Sequence, residues 1–189
     1  MKKYVLLLIL LSSYTVTDAQ LLKVGFRLEP TLFFNEKFNS SSLGFSPYGF
    51  YSSIIVNPIE NLSLEFRPGY LVGIELYGGL ELGGYAQWKI LSSNFYLAGG
   101  FYSHSNHFTS YHNGGVGYEN RMNFLSLGMG YQRTETNGID IMYSWTNEKE
   151  YAPSSRTNSK GEKIYTNRKM NGILKIGISF AWDIFKCAA

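Results

Sequence analysis

A chain of 189 residues has room for one domain, and 44% hydrophobic content with a mean hydropathy of −0.13 fits neither a disordered chain nor a bundle of membrane helices. The formal charge of +3 is too balanced to point to nucleic acid, and the only cysteine, Cys187, cannot form an internal disulfide. The aromatic share is unusual: 15 Tyr, 13 Phe and 3 Trp stand beside 20 Gly, a combination that favours strands and the tight turns between them.

The N-terminus reads as a secretory signal peptide over residues 1–19. Lys2 and Lys3 precede an apolar run from Tyr4 to Leu11, and Thr17-Asp18-Ala19 offers small residues for cleavage after Ala19. That run is shorter than the roughly 20 residues a spanning helix needs. Cleavage leaves residues 20–189 as one domain with 15 basic and 13 acidic residues.

Eight strand-like runs follow, at residues 22–33, 45–56, 62–74, 77–90, 95–105, 122–133, 139–146 and 172–185, separated by Gly, Asn, Ser and Pro clusters. Most reach the roughly 9–11 residues that a tilted strand needs to cross a bilayer. In the first run Leu22, Val24, Phe26 and Leu28 oppose Lys23, Gly25, Arg27 and Glu29. The third sets Leu62, Leu64, Phe66, Tyr70 and Val72 against Ser63, Glu65, Arg67 and Gly69; the fourth sets Leu80, Leu82 and Trp88 against Glu81, Gly83, Gln87 and Lys89. The seventh alternates Ile139, Ile141, Tyr143 and Trp145 with Asp140, Met142, Ser144 and Thr146. The eighth alternates Leu174, Ile176, Ile178, Phe180, Trp182 and Ile184 with Lys175, Gly177, Ser179, Ala181 and Asp183. A period of two over this many residues predicts strands with two unlike faces. The second and fifth runs alternate poorly, and their faces stay unassigned.

Connections 57–61, 91–94 and 134–138 are short, whereas 35–44, 106–121 and 147–171 are long. The third-to-fourth connection, around Glu75-Leu76, is a short exception on the long side. Short turns at one end and long loops at the other are the pattern of outer-membrane barrels, with the turns and both termini in the periplasm. The expected fold is therefore all-β: an eight-stranded antiparallel up-and-down transmembrane β-barrel.

Alternation also suits a soluble lipocalin-like carrier, whose apolar face would line a ligand cavity. Two features favour the membrane. Tyr70, Trp88, Tyr131, Trp145 and Trp182 lie near strand ends on the apolar stripe, as at a membrane interface. The polar faces carry Lys23, Arg27, Arg67, Lys89 and Lys175 against Glu29, Glu65, Glu81, Asp140 and Asp183, a balanced set suited to a structural charge network in a closed lumen.

With its signal peptide, eight strands and closing strand Ile178-Ser179-Phe180-Ala181-Trp182-Asp183-Ile184-Phe185, the chain resembles the small outer-membrane β-barrel superfamily, the porin-like group around the OmpA and OmpX barrels. The resemblance covers essentially the whole mature chain and is architectural. It implies a monomer in contact with outer-membrane lipid and lipopolysaccharide. It also implies a final aromatic, here Phe185, read by the barrel-insertion machinery, although this chain adds Lys186-Cys187-Ala188-Ala189 after it.

Three features invite chemistry. His104, His107 and His112 cluster as metal ligands would, but no carboxylate or thiolate accompanies them and the spacing matches no standard pattern. Ser103-His104-Ser105-Asn106 partly resembles the lipid A deacylase group, yet adjacent His104 and Ser105 point to opposite faces of a strand, the wrong register for a base and its nucleophile. Lys149, Arg156, Lys160, Lys163, Arg168 and Lys169 make the last long connection basic, against Glu148, Glu150 and Glu162. The expectation is a non-enzymatic barrel without cofactor or metal, with a structural or surface-interaction role. A lipid A-modifying enzyme is the first alternative and a lipocalin-like carrier the second.

Overall fold

The computed structural model describes residues 22–73, 77–90, 93–109 and 117–184. The expectations for the signal peptide, His112, Phe185 and Cys187 lie outside them. The described residues contain eleven strands and no helix: β1 (Leu22–Leu28), β2 (Thr31–Lys37), β3 (Ser40–Ser46), β4 (Tyr48–Ile59), β5 (Leu62–Val72), β6 (Gly79–Lys89), β7 (Phe95–Thr109), β8 (Gly117–Gln132), β9 (Asn137–Trp145), β10 (Glu150–Thr157) and β11 (Lys163–Asp183). All pairings are antiparallel: β4 to β9 pair in chain order, β1 pairs with β4, β2 with β3, β9 and β10 both pair with β11, and β11 returns to both β1 and β2.

Three pairs act as single interrupted strands, so the described residues close into a ring of eight. Pro30 separates β1 from β2; it has no N–H, but its carbonyl still accepts from Ile176 at 2.9 Å, and the wall stays continuous. Pro47 separates β3 from β4, and residues 146–149 separate β9 from β10. Closure is made by β1 against β11, from Lys23 opposite Asp183 to Leu28 opposite Ile178. A closed ring leaves no unpaired edge along the wall's middle, which is what an eight-stranded sheet needs to be stable in isolation.

The short connections occur where the spacing places them: Glu60-Asn61, residues 90–94 and residues 133–136. The three long ones differ from expectation. Residues 35–44 form a two-residue hairpin in which Phe38 and Asn39 both take positive φ (51° and 60°) between β2 and β3. The β7–β8 pair runs on to Thr109 opposite Gly117, and residues 147–171 are largely the β10–β11 hairpin. Three ribbons thus extend the wall past the belt.

The two faces are inverted relative to a soluble barrel. Leu125, Leu127, Met129, Ile139, Ile141, Leu80, Leu82 and Leu97 point outward, and Leu127 and Met129 are each 61% exposed. Inward lie Arg27, Glu29, Glu65, Arg67, Glu81 and Lys175, each at most 2% exposed. A lipocalin-like carrier requires the opposite arrangement, an apolar interior under a charged surface, and that alternative has no support in this barrel. Outward aromatics concentrate toward the ends: Trp88, Phe95, Tyr131 and Trp182 near the short turns, and Phe45, Tyr48, Tyr70 and Tyr143 near the ribbons. Cross-strand pairs such as Phe26 on Phe180 and Phe95 against Tyr131, both with centroids 5.0 Å apart, stiffen this surface.

Glycine makes room for the tyrosines that cross the interior. The Tyr96 ring lies flat over Gly130 of β8, where any Cβ would collide with it. At Gly73 a Cβ would strike the Tyr77 carbonyl, so glycine there permits the close approach of these two backbone segments.

Candidate functional site

The interior is built in three storeys. At the ribbon end, Phe33, Leu71, Tyr77, Tyr102, Met122, Phe124, Tyr151, Met170 and Ile173 form a dry plug. Its keystone is Tyr77, which the sequence places in the fourth strand. In the structure β6 starts at Gly79, and Tyr77 turns into the lumen instead. The Gly78 N–H donates to Asn106 Oδ1 at 2.9 Å and the Gly78 carbonyl accepts from His107, fastening the connection to β7. The Tyr77 ring then stacks on His104 (4.1 Å, 7° between planes) and meets Phe33 and Tyr151 edge-on, each at 5.4 Å. Tyr77→Ala should lower stability by about 3 kcal/mol or more, as for other buried aromatic truncations. It should still give no steady current in planar bilayers, because the storey beneath remains closed. Urea titration in vesicles and single-channel recording check the two halves of this expectation.

Beneath the plug lies the charge network. Arg67 of β5 reaches Glu29 (Nη1 to Oε1, 2.7 Å) and Glu65 (Nη2 to Oε2, 2.7 Å), with its guanidinium 4.0 Å over the Tyr85 ring. Arg27 of β1 shares Glu29 (3.1 Å), reaches Asp140 of β9 (2.5 Å) and lies 3.9 Å from Glu65. Lys175 of β11 bonds Glu81 of β6, lies 3.6 Å from Glu29, and packs 4.3 Å over the Tyr102 ring. Neutral donors complete the carboxylates. Tyr51 donates to Glu81 (2.6 Å), Tyr96 to Asp140 (2.9 Å), Gln87 to Glu65 (2.7 Å), and the Ser53 hydroxyl also bonds Glu65. His104 Nδ1 lies 3.0 Å from the second Glu81 oxygen; a carboxylate only accepts, so Nδ1 carries the proton.

Seven of the ten charges named from the sequence meet in this one network: Arg27, Glu29, Glu65, Arg67, Glu81, Asp140 and Lys175. The other three do not join it. Lys23 and Asp183 pair separately at 3.6 Å near the mouth, where Lys23 also donates to the Glu135 carbonyl. Lys89 is half-buried at the rim, with no ion pair among the described residues. The sequence reading also missed His104, Tyr51, Tyr96, Gln87 and Ser53 as members. Inward tyrosines leave no mark on an apolar–polar pattern, and four of the five missed residues lie on β4 and β7, which carry none of the ten charges. It is cross-strand register, Tyr51 opposite Arg27 and His104 opposite Glu81, that ties them to the network.

The third storey is a vestibule of about 380 Å³ at the short-turn end, lined by Lys23, Lys89, Glu60, Gln87, Tyr96 and Asn137 among others. It ends on Arg27 and its partners, so the polar cavity stops at the charge layer.

The chemical candidates separate. His104 is fully buried and His107 is exposed, so they do not share a face; among the described residues no group of three or more His, Cys, Asp or Glu is placed to hold a metal. Ser105 follows His104 on the opposite face of β7, with Leu80 of β6 as its cross-strand neighbour. The charged heads are spent largely on one another and tie β1, β4, β5, β6, β9 and β11 across the lumen, while Glu29 Oε2, Asp140 Oδ1 and His104 Nε2 are buried without a hydrogen bond among the described residues.

No protein-family model matches the chain, and no curated protein does. Among solved structures it is similar to Neisserial surface protein A (12% identity, covering 87% of this chain and 99% of that one, TM-score 0.49). It is also similar to the N-terminal β-barrel domain of Pseudomonas aeruginosa OprF (10% identity, 85% and 97% covered, TM-score 0.48) and to Ail, the attachment invasion locus protein of Yersinia pestis (8% identity, 88% and 100% covered, TM-score 0.46).

Proposed function

We propose that this chain is a monomeric integral outer-membrane β-barrel protein with a structural or surface-interaction role and a lumen closed to solutes. The observation that carries the reading is the inversion of faces: a continuous belt of exposed Leu, Ile, Val, Phe and Met surrounds a buried, paired charge network. In water such a belt far exceeds the isolated apolar patches a soluble monomer tolerates, whereas hydrocarbon makes it the favoured surface. The aromatic residues toward both ends suit the two headgroup interfaces. The short-turn end, with both chain ends, is assigned to the periplasm and the three ribbons to the outside.

The role follows from where the polar chemistry is spent. Inside, three cations and four carboxylates are engaged with one another and with Tyr, Ser, Gln and His partners, which favours a scaffold over a catalyst. Outside, the β10–β11 ribbon exposes Arg156, Lys160, Lys163 and Lys169 beside Glu150 and Glu162, a surface suited to anionic lipopolysaccharide. The closing strand would be the element read by the barrel-insertion machinery.

Cell fractionation combined with gel electrophoresis tests the assignment. The protein should partition with outer membranes and migrate faster unheated than boiled, since a closed barrel resists unfolding in detergent. Recovery in the soluble periplasm with unchanged mobility would overturn it.

A further inference from the structure

The wall of the barrel is not uniformly sealed. The ladder between β8 and β9 ends at Leu125 opposite Trp145, although β8 continues to Gly117 and the chain after β9 continues as β10. Among the described residues no backbone ladder joins β8 to β10. The cause is local. The Thr146 hydroxyl accepts from the Glu148 N–H, turning the chain, and the Lys149 carbonyl accepts from Met170 of β11 at 2.7 Å. The chain from β9 into β10 therefore follows β11 and peels away from β8. Pro153 in β10 agrees with this, since proline belongs on an unpaired edge. Higher up, Asn120 Nδ2 donates to the Glu150 carbonyl at 2.9 Å and spans the gap again. What lies between is a bounded window.

A cavity of about 270 Å³ occupies that window. Its outer rim is Phe101, Leu125 and Trp145, continuous with the apolar belt; Asn123, Thr146, Asn147 and Glu148 also line it, and Phe124, 1% exposed and stacked on Tyr102 at 4.8 Å, lies at its floor. The window also sits where the outward face changes character. Phe101 and Leu125 are the last apolar pair on β7 and β8. Ser103 and Asn123 follow, then Arg121, whose Nε donates to the Ser103 hydroxyl at 2.7 Å. The volume falls just below the ~300 Å³ at which small-molecule pockets begin, too small for a whole lipid and suited to part of one chain.

We propose that this window is a lipid site: one acyl chain of a phosphate-bearing membrane lipid enters between β8 and the β9–β10 break and lies against Phe124. Its headgroup stays at the polar boundary, where Arg121 faces the phosphate. The proposal rests on the membrane reading above, since the window opens onto the same belt.

The test uses the full protein reconstituted in vesicles of phosphatidylethanolamine and phosphatidylglycerol, doped with a phosphatidylcholine carrying a diazirine at the end of one acyl chain. After illumination, adducts are mapped by mass spectrometry. Leu127, outward on the belt, reports lipid contact in general; Phe124 and Thr146, both facing inward, are reached only through the window. Adducts should appear on Phe124 or Thr146 as well as Leu127. Asn147→Trp, which places bulk in the cavity from an exposed position, should reduce the inner adducts about tenfold and leave Leu127 unchanged, since a close-packed interior has no other space for a chain. Adducts on Leu127 alone, or inner adducts that persist in Asn147→Trp, would overturn the window while leaving the membrane assignment standing. Absence of adducts from Leu127 would overturn both.

Discussion

Arg67→Ala should shift the urea unfolding midpoint of the reconstituted barrel strongly downward, by the equivalent of about 3–5 kcal/mol. Arg67 is the joint of the network, with one nitrogen on Glu29, two on Glu65 and its plane on Tyr85. Removing it leaves Glu29 and Glu65, each 2% exposed or less, to share Arg27, with Lys175 3.6 Å from Glu29. The size of the loss comes from these under-compensated anions and not from the worth of the bridge, because a buried pair replaced as a whole often costs little. The double variant Arg67→Met with Glu65→Gln should therefore be more stable than Arg67→Ala, even though it deletes more charge. A loss in the double variant equal to or greater than that in Arg67→Ala would show that the network acts through pairing energy itself.

Ile178→Arg should impair membrane insertion by about 2–4 kcal/mol, the range for a cation on the lipid face near mid-depth. Ile178 lies outward on β11 between Leu28 of β1 and Ile139 of β9, at the seam that closes the ring. The neighbouring Ser179→Arg should be milder, since Ser179 faces the vestibule and a long side chain there reaches water. Folding yield into vesicles, read by the electrophoretic mobility shift, separates the two. The reverse order would mean that the assigned faces are exchanged.

Much of this barrel was legible because the two solvents it separates are so unlike. Where one face meets the apolar belt and the other the charge layer, as in β1, β5, β6, β9 and lower β11, a period of two marks every residue. The pattern failed where that contrast fails. β7 places Tyr96, Ala98 and Tyr102 inward opposite Phe95, Leu97 and Phe101, apolar by type on both faces. The interrupted strand β3–β4 slips phase at Pro47: Phe45 and Tyr48 both point out, three residues apart, around the Ser46 that points in. Toward the tips of the β2–β3 and β10–β11 ribbons both faces are exposed and alternation carries no penalty for error, and these extensions, like that of β7–β8, read as loops. The hairpin at Phe38-Asn39 lacks the Asn-Gly signature that would have announced it. Within the site, charged members were visible by type and inward parity, whereas His104 entered through its place directly opposite Glu81 on β6, and Tyr51 and Tyr96 through reaches between strands that do not pair.

The seam between β1 and β11 has a consequence for how the chain acquires its shape. It joins the first strand to the last, so the contacts that close the cylinder are the most distant the chain can make, and topologies dominated by such contacts fold slowly. Until they form, two strand edges stand open in hydrocarbon, where each unmet N–H or C=O costs several kcal/mol. Arg27 rides on β1 while its partner Asp140 sits on β9, so the same event that seals the edges also neutralises the interior. Half-closed states carry both penalties together and should not accumulate. Kinetically, refolding into vesicles should proceed in one slow, all-or-none phase, and unfolding should lag far behind it in denaturant, leaving a wide hysteresis between the two directions.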